Sequence, residues 1–268
     1  MRTVRAACAT TLALIAAIVT VVATAGSASA AVSASNYVAL GDSYSSGVGS
    51  GDYDPASGDC DRSPHAYPQL WATEHASATF AFVACSGATT DDVLADQVSA
   101  LSTNTTAVSI TIGGNDAGFS DVMETCVLGS DSTCDDAISN AENFVTTTLP
   151  SKLDNLYATI RQDAPSAAVV VLGYPRFYQI PGSCILGLSE HKRSAINTAA
   201  DTLDGVIADR AAAAGFTFSD VRDEFTGHEI CSDDEWLHSV SIPLNDSYHP
   251  TAAGQSGGYL PALDSVTG

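Results

Sequence analysis

Residues Tyr37–Gly49 read YVALGDSYSSGVG. Four residues that suit a buried strand run directly into glycine, aspartate and serine. A hydroxyl therefore stands where a strand ends, with small residues on both sides. That is either a plain turn or a nucleophile held at the mouth of a sheet, and the rest of the chain decides between them.

Four similar apolar runs follow: ATFAFVAC (Ala78–Cys85), AVSITIGG (Ala107–Gly114), SAAVVVLG (Ser166–Gly173) and the weaker FTFSDV (Phe216–Val221). Continuous apolar runs of this length suit strands covered on both faces. Between them lie helix-like segments: AYPQLWATEHA, TTDDVLADQVSAL, the stretch Asp135–Asp163, and SEHKRSAINTAADTLDGVIADRAAAA, which opens on Ser189 as an N-cap. Strands alternating with helices predict an α/β fold, a parallel sheet with crossover helices on both faces. Ligands of such sheets bind beyond the carboxyl ends of the strands. Three of those ends carry polar or glycine clusters: GDSYSSG, CSGAT and GGNDAGF.

The chain has 268 residues, and its first thirty have the pattern of an export signal. Arg2 and Arg5 precede an apolar run, Leu12–Val22, and small residues follow, with Ala28 and Ala30 in the A-x-A positions. Cleavage is expected after Ala30, leaving 31–268 as a single domain with neither linker nor repeat. No later stretch is apolar enough to span a bilayer, so the mature chain is expected to be exported, without a stable membrane anchor. Arg2 and Arg5 are the only charged residues of 1–30, so the remainder carries 8 basic and 31 acidic residues, a net charge of −23. Nucleic acid is excluded as a partner, because binding it rests on cationic neutralisation of phosphates. Adsorption to an anionic membrane is disfavoured for the same reason.

Six cysteines follow residue 30: Cys60, Cys85, Cys126, Cys134, Cys184 and Cys231. An even number in an exported chain reads as three disulfides, and spacing does not choose among the possible pairings. No C-x-x-C zinc or redox pattern, G-x-G-x-x-G or G-K-[ST] phosphate cradle occurs, so neither metal nor nucleotide cofactor is expected. The acidic stretch Asp52–Asp61 lacks the glycine and glutamate of a calcium loop and reads as a solvated loop pinned by Cys60.

A serine is a weak nucleophile until a base takes its proton, and the base needs orienting. Ser43 opens a short helix whose amides favour negative charge. The Ser43 amide, Gly87 and the Asn115 side chain are three candidate oxyanion donors. Among six histidines, His249 stands apart in NDSYHPTAAGQ, in a loop just before a helix start, with Asp246 three residues earlier. GQSGG, Gly254–Gly258, matches the nucleophile elbow G-x-S-x-G, but no histidine follows Ser256 and no strand precedes it. It is a chance match.

GDSYSSG, CSGAT, IGGNDAGF and DSYHP, in this order across the chain, resemble the four sequence blocks of the SGNH hydrolases, or GDSL esterases and lipases. The export signal and six cysteines further resemble the secreted actinobacterial lipases and phospholipases A1 of that family. The resemblance implies a flavodoxin-like three-layer α/β/α fold with a five-stranded parallel sheet and no metal. It implies Ser43 as nucleophile, the Ser43 amide, Gly87 and Asn115 as oxyanion hole, and His249 as general base. It leaves open whether Asp246 or the Ser247 carbonyl orients the imidazole. It further implies the pairs Cys60–Cys85, Cys126–Cys134 and Cys184–Cys231.

The function expected is a secreted, monomeric serine ester hydrolase acting on acyl lipids. Gly41 and Ser45–Ser46 would leave room for the substrate. Tyr44, Phe119, Tyr174, Phe177, Tyr178, Ile180, Ile185 and Leu186 would line an apolar groove, with 120–135 and 174–190 as substrate-shaping loops. Two other readings stay open: a carbohydrate acetylesterase, which would need a shallow polar cleft, and a non-catalytic secreted binding module.

Overall fold

The apolar runs become five short parallel strands, because a strand covered on both faces needs apolar residues at nearly every position. In the computed structural model, which describes residues 36–182, 184 and 188–267, they are β1 (Asn36–Gly41), β2 (Thr79–Phe82), β3 (Ala107–Thr111), β4 (Ala168–Leu172) and β5 (Thr217–Ser219). The sheet order is β2-β1-β3-β4-β5. Pairing of β1 with β3 runs from Tyr37 opposite Ala107 to Gly41 opposite Thr111, so these two strands end level.

The helices are α1 (Ser43–Ser46), α2 (Tyr67–Glu74), α3 (Thr90–Asp92), α4 (Phe119–Leu128), α5 (Asp131–Thr147), α6 (Leu149–Asp163), α7 (Glu190–Ala213), α8 (Ala252–Gly254) and α9 (Leu260–Thr267). The chain moves one way across the sheet from β1 to β2 and the other way from β2 to β5. Right-handed crossovers therefore place α2 on one face and the later connections on the other. Packing follows: α2 meets α9, which also covers β4 and β5, while α7 lies on β4 and β5 with α5 and α6 against it. Tyr37 marks the α2 side, with its ring 4.8 Å edge-on from Trp71 and its hydroxyl 2.5 Å from Ser109 Oγ. The five-stranded flavodoxin-like sheet is the expected one. Its reversal of direction beside β1 opens a crevice at the ends of β1 and β3, where ligands bind in such folds.

Several segments differ from the sequence reading. Residues 89–101 are not one helix: α3 passes into a π turn, Val93–Gln97, and a 3₁₀ turn, Val98–Ala100. The buried Gln97 side chain explains the irregularity, since it accepts from Gly41 N at 2.8 Å and donates to Gly41 O at 2.9 Å. The stretch 120–135, expected as a loop, is α4 and the start of α5. Asp135–Asp163 divides into α5 and α6 at Thr148, with Pro150 in the first turn of α6, where proline fits a helix. Ser189 caps α7 as expected, accepting from Lys192 N at 3.2 Å. Lys192 is itself buried and its ammonium donates to Cys126 O and Gly129 O at 2.8 and 2.7 Å, satisfying carbonyls at the end of α4. That contact ties α4 to α7.

Disulfides join Cys60 to Cys85, Cys126 to Cys134 and Cys184 to Cys231, the pairs implied by the resemblance. Among the described residues no helix is long and apolar enough to cross a membrane. The expected signal, 1–30, lies outside the described residues, as do Ile185 and Leu186 of the expected groove.

Candidate active site

The end of β1 is built around close approach. Gly41 has φ 125°, and a Cβ there would lie 2.5 Å from the Thr111 carbonyl and 2.6 Å from Ser45 Oγ. The absent side chain makes room for β3 and α1, not for a substrate. Ser45 and Ser46 are also buried, and Ser45 Oγ accepts from Thr111 N at 3.0 Å. The expectation of substrate space at these three residues is therefore corrected. Asp42 caps α1, accepting from Tyr44 N at 3.0 Å. This leaves Ser43 as the first helical residue.

His249 comes from the other end of the chain. His238 and Tyr248–His249 pair as a hairpin base, with His238 N donating to His249 O and Tyr248 N to His238 O, both at 2.9 Å. Tyr248 has φ 65°, a left-handed conformation rare for a large residue. Tyr44 Oη holds it, donating to Tyr248 O at 2.6 Å. The next side chain, His249, thereby points at the end of β1, with Nε2 2.7 Å from Ser43 Oγ. Burial pushes its pKa down to about 4, opposed by the Ser247 and Asn245 carbonyls and then by Asp246. The imidazole is thus neutral at neutral pH and free to take a proton. Nδ1 is closed off from solvent without a full hydrogen bond, and those two carbonyls are the acceptors facing it.

Asp246 is differently engaged. Its carboxylate accepts from Tyr53 Oη at 2.8 Å, and among the described residues it makes no hydrogen bond to the His249 imidazole; His249 N donates instead to the Asp246 main-chain carbonyl at 3.2 Å. Nδ1 thus faces the Ser247 and Asn245 carbonyls, while the Asp246 carboxylate faces Tyr53. A carboxylate three residues before a histidine reaches it only if the loop curls inward. Here residues 244–246 form a 3₁₀ turn that carries Asp246 toward Tyr53.

The three expected donors are placed around the β1–β3 crevice. Asn115 Nδ2 donates to Ala88 O at 3.0 Å, which leaves its second N–H available and ties its loop to the one carrying Gly87. Cys85 N donates to Gly41 O at 3.0 Å, and Ser86 N to Cys60 O at 3.1 Å, anchoring the Gly87 loop beside the Ser43 turn through the Cys60–Cys85 bridge. Gly87 sits at φ 77° with open space where a Cβ would be. Among the described residues neither the Ser43 nor the Gly87 amide donates an internal hydrogen bond.

Two buried residues beneath Ser43 escaped the sequence reading. Besides capping α1, Asp42 accepts from Thr111 Oγ1 at 2.7 Å and from Tyr174 Oη. Burial raises its pKa to about 6, with Tyr174, Thr111 and the Tyr44 amide opposing. Tyr174 Oη also accepts from Gly114 N at 3.2 Å, and Tyr174 N donates to the buried Asp204 at 2.9 Å. In the sequence Asp42 reads as part of a turn, and Asp204 as one polar residue of a mostly polar helix. Their burial depends on β4 and α7 closing over the site.

From Ser43 and Asn115 an apolar cavity of about 80 Å³ runs inward. Tyr44, Phe119, Tyr174 and Phe177 line it as expected. Tyr178 instead bridges to Ile230 and Ile180 is surface-exposed, which corrects both. The deeper walls are helical: Val122 and Met123 of α4, Ile138, Ala141, Glu142 and Val145 of α5, and Ile196, Ala199, Ala200 and Leu203 of α7. Their helical spacing reads as ordinary core in a sequence. The available signal was the small size of Ala141, Ala199 and Ala200 on facing helices, which leaves the space unfilled. The GQSGG match is set aside by its surroundings. Ser256 is exposed on a helical turn and donates to Ala252 O at 2.9 Å. A Cβ on Gly257 would lie 2.6 Å from the Trp236 ring.

Comparison with known proteins finds close relatives in sequence and in fold. Residues 39–256 match the model of the GDSL-like Lipase/Acylhydrolase family. Lipase 1 of Streptomyces coelicolor is 61% identical over 234 residues, 87% of this chain and 87% of that protein. The crystal structure of an extracellular lipase from Streptomyces rimosus superposes with a TM-score of 0.86 at 58% identity, over 87% of this chain and 100% of that one. A phospholipase A1 from Streptomyces albidoflavus NA297 superposes with a TM-score of 0.85 at 61% identity, over 87% of this chain and 99% of its own. Matched over most of its length in sequence and in fold, the chain belongs to the GDSL-like lipase/acylhydrolase family.

Proposed function

We propose that the protein is an exported lipase of the phospholipase A1 type, a serine ester hydrolase whose nucleophile is Ser43. The observation that carries this is the 2.7 Å contact between Ser43 Oγ and a neutral His249 at the mouth of an apolar cavity. Ser43 Oγ attacks the ester carbonyl while His249 Nε2 takes its proton. The Ser43 amide, the Gly87 amide and the free N–H of Asn115 receive the oxyanion, each such donor contributing roughly 10²–10³ in kcat. His249 then gives its proton to the leaving alcohol, and a water deprotonated at the same nitrogen releases the fatty acid from Ser43. The Ser247 carbonyl orients the imidazolium as it forms.

The cavity supports an acyl chain as the group next to the carbonyl. A carbohydrate acetylesterase calls for a shallow polar cleft, whereas this cavity is deep and walled by aliphatic and aromatic side chains. A non-catalytic module has no need of the Ser43–His249 contact. Export rests on the first thirty residues, with cleavage after Ala30 leaving 31–268 as one domain.

Phosphatidylcholine with different acyl chains at its two positions tests the reading, with Ser43→Ala as control and products identified by mass spectrometry. Fatty acid released chiefly from the first position, by the unaltered protein alone, is the expected result. Hydrolysis of triacylglycerol but not of phospholipid would overturn the phospholipase assignment, and equal activity of Ser43→Ala would overturn the nucleophile. N-terminal sequencing of the exported protein tests cleavage after Ala30.

A further inference from the structure

The chain between the two legs of the His238/Tyr248 hairpin, residues 239–247, carries an unusual surface. Val240 is 53%, Ile242 98% and Leu244 73% exposed. Every second position is a large aliphatic, and no residue from Ser239 to Asn245 is charged. Water contact of this extent on three closely spaced aliphatics is unfavourable without a partner.

We propose that this loop is an interface anchor that inserts into the surface of a zwitterionic or neutral lipid aggregate and sets the cavity mouth against it. The inference rests on the lipase reading and identifies the surface that delivers the substrate. Position supports it, because one leg of the loop ends in His249. The preceding Tyr248 ring lies 6.4 Å from both Phe119 and Phe177, two of the cavity-lining side chains. Area argues against a second copy of the chain. Three aliphatic side chains offer on the order of 300 Å² of apolar surface, well below the roughly 800 Å² per partner of a stable protein interface. Insertion into a lipid surface needs only a few such side chains.

Charge selects the lipid. The root of the loop is acidic: Asn245 Nδ2 donates to Asp61 at 2.9 Å, and Asp246 follows in sequence. With a net charge of −23 after residue 30, an anionic surface repels the anchor that a zwitterionic one accepts.

The test separates docking from chemistry. Vesicles of a non-hydrolysable diether phosphatidylcholine are sedimented with the unaltered protein and with the double variant Ile242→Ser/Leu244→Ser. The same two proteins are assayed on ester phosphatidylcholine vesicles and on a soluble monomeric short-chain ester. Expected is a fall of about tenfold or more in vesicle binding and vesicle hydrolysis for the variant, with soluble-ester hydrolysis unchanged. Adding phosphatidylglycerol to the vesicles should weaken binding of the unaltered protein. A second variant, Ile242→Trp, should show a blue-shifted emission on vesicles.

Equal vesicle binding by both proteins, or no shift for Ile242→Trp, would overturn the proposal. So would a parallel loss on the soluble ester, which would make the loop a support for His249. Self-association of the unaltered protein without lipid, abolished in the double variant, would make the face a protein interface instead. Failure of the lipase reading itself would appear separately, as a soluble ester left intact by the unaltered protein.

Discussion

Tyr174 Oη donates to the Asp42 carboxylate and accepts from Gly114 N. One hydroxyl therefore joins the turn that carries Ser43 to the loop that carries Asn115. Asp42 lies on β1–α1, Gly114 follows β3 and Tyr174 follows β4, so three strand ends are held in one network.

Tyr174→Phe removes that joint while leaving the ring against Tyr44, whose centroid lies 5.0 Å away. The Gly114 amide and one Asp42 oxygen lose a partner in a buried site, a loss of roughly 1–3 kcal/mol. The expected outcome is a lower thermal midpoint and a fall in kcat of about tenfold or more with KM little changed, because looser donors weaken oxyanion binding. Steady-state kinetics on a soluble ester read this. An equal rise in KM with kcat intact would place Tyr174 in substrate binding instead.

Asp246→Asn is expected to alter kcat by less than about threefold, whereas loss of a true triad acid lowers it by about 10⁴. Its carboxylate is bound to Tyr53 and not to His249. A loss of several thousandfold would mean that the loop rearranges during the reaction to bring Asp246 to Nδ1.

The pH profile follows from the burial of His249. A histidine held at about 4 stays neutral well below the ordinary value near 6.5. The acid limb of kcat/KM on an uncharged soluble ester should therefore lie near 4. Asp42 is raised to about 6 by burial, so an inflection near 6 that vanishes in Asp42→Asn belongs to that carboxyl. A limb at 6.5 that Asp42→Asn leaves in place would show a solvated imidazole.

Asp204 links stability to pH. Burial raises its pKa to about 8, with the Tyr174 amide and Arg222 opposing. The folded state holds a proton that the unfolded chain releases near 3.9. The resulting stability is complete at low pH and is lost as pH rises from about 4 through 8. Asp204→Asn should flatten that decline, so its thermal midpoint gains on the parent between about pH 5 and pH 8. Parallel curves for the two proteins would exclude Asp204 as the source.

Chain-length choice depends on the alanines between α5 and α7. Ala200→Leu fills the cavity beside Ile196 and Leu203, which should lower kcat/KM on long-chain esters by about tenfold or more while sparing butyryl esters. One lost or blocked methylene alone is worth roughly 10–200-fold in such pockets. An unchanged chain-length profile would place the acyl chain elsewhere.

Much of this molecule is local and therefore legible in the chain. Continuous apolar runs dictated a parallel sheet, because only residues buried on both faces dispense with alternation. Clusters at the ends of β1, β2 and β3 located Ser43, Gly87 and Asn115, since a parallel sheet gathers its strand ends at one edge. The YHP context singled out His249. The tertiary structure alone decided which groups face His249 Nδ1, because a backbone carbonyl is present at every position and only the path of residues 244–248 aims those of Asn245 and Ser247 at it. It alone buried Asp42 and Asp204, whose pKa values rise only when β4 and α7 exclude water. It also turned helical residues that read as core into a cavity, since whether apolar faces fill the space between α5 and α7 depends on how far apart those helices sit.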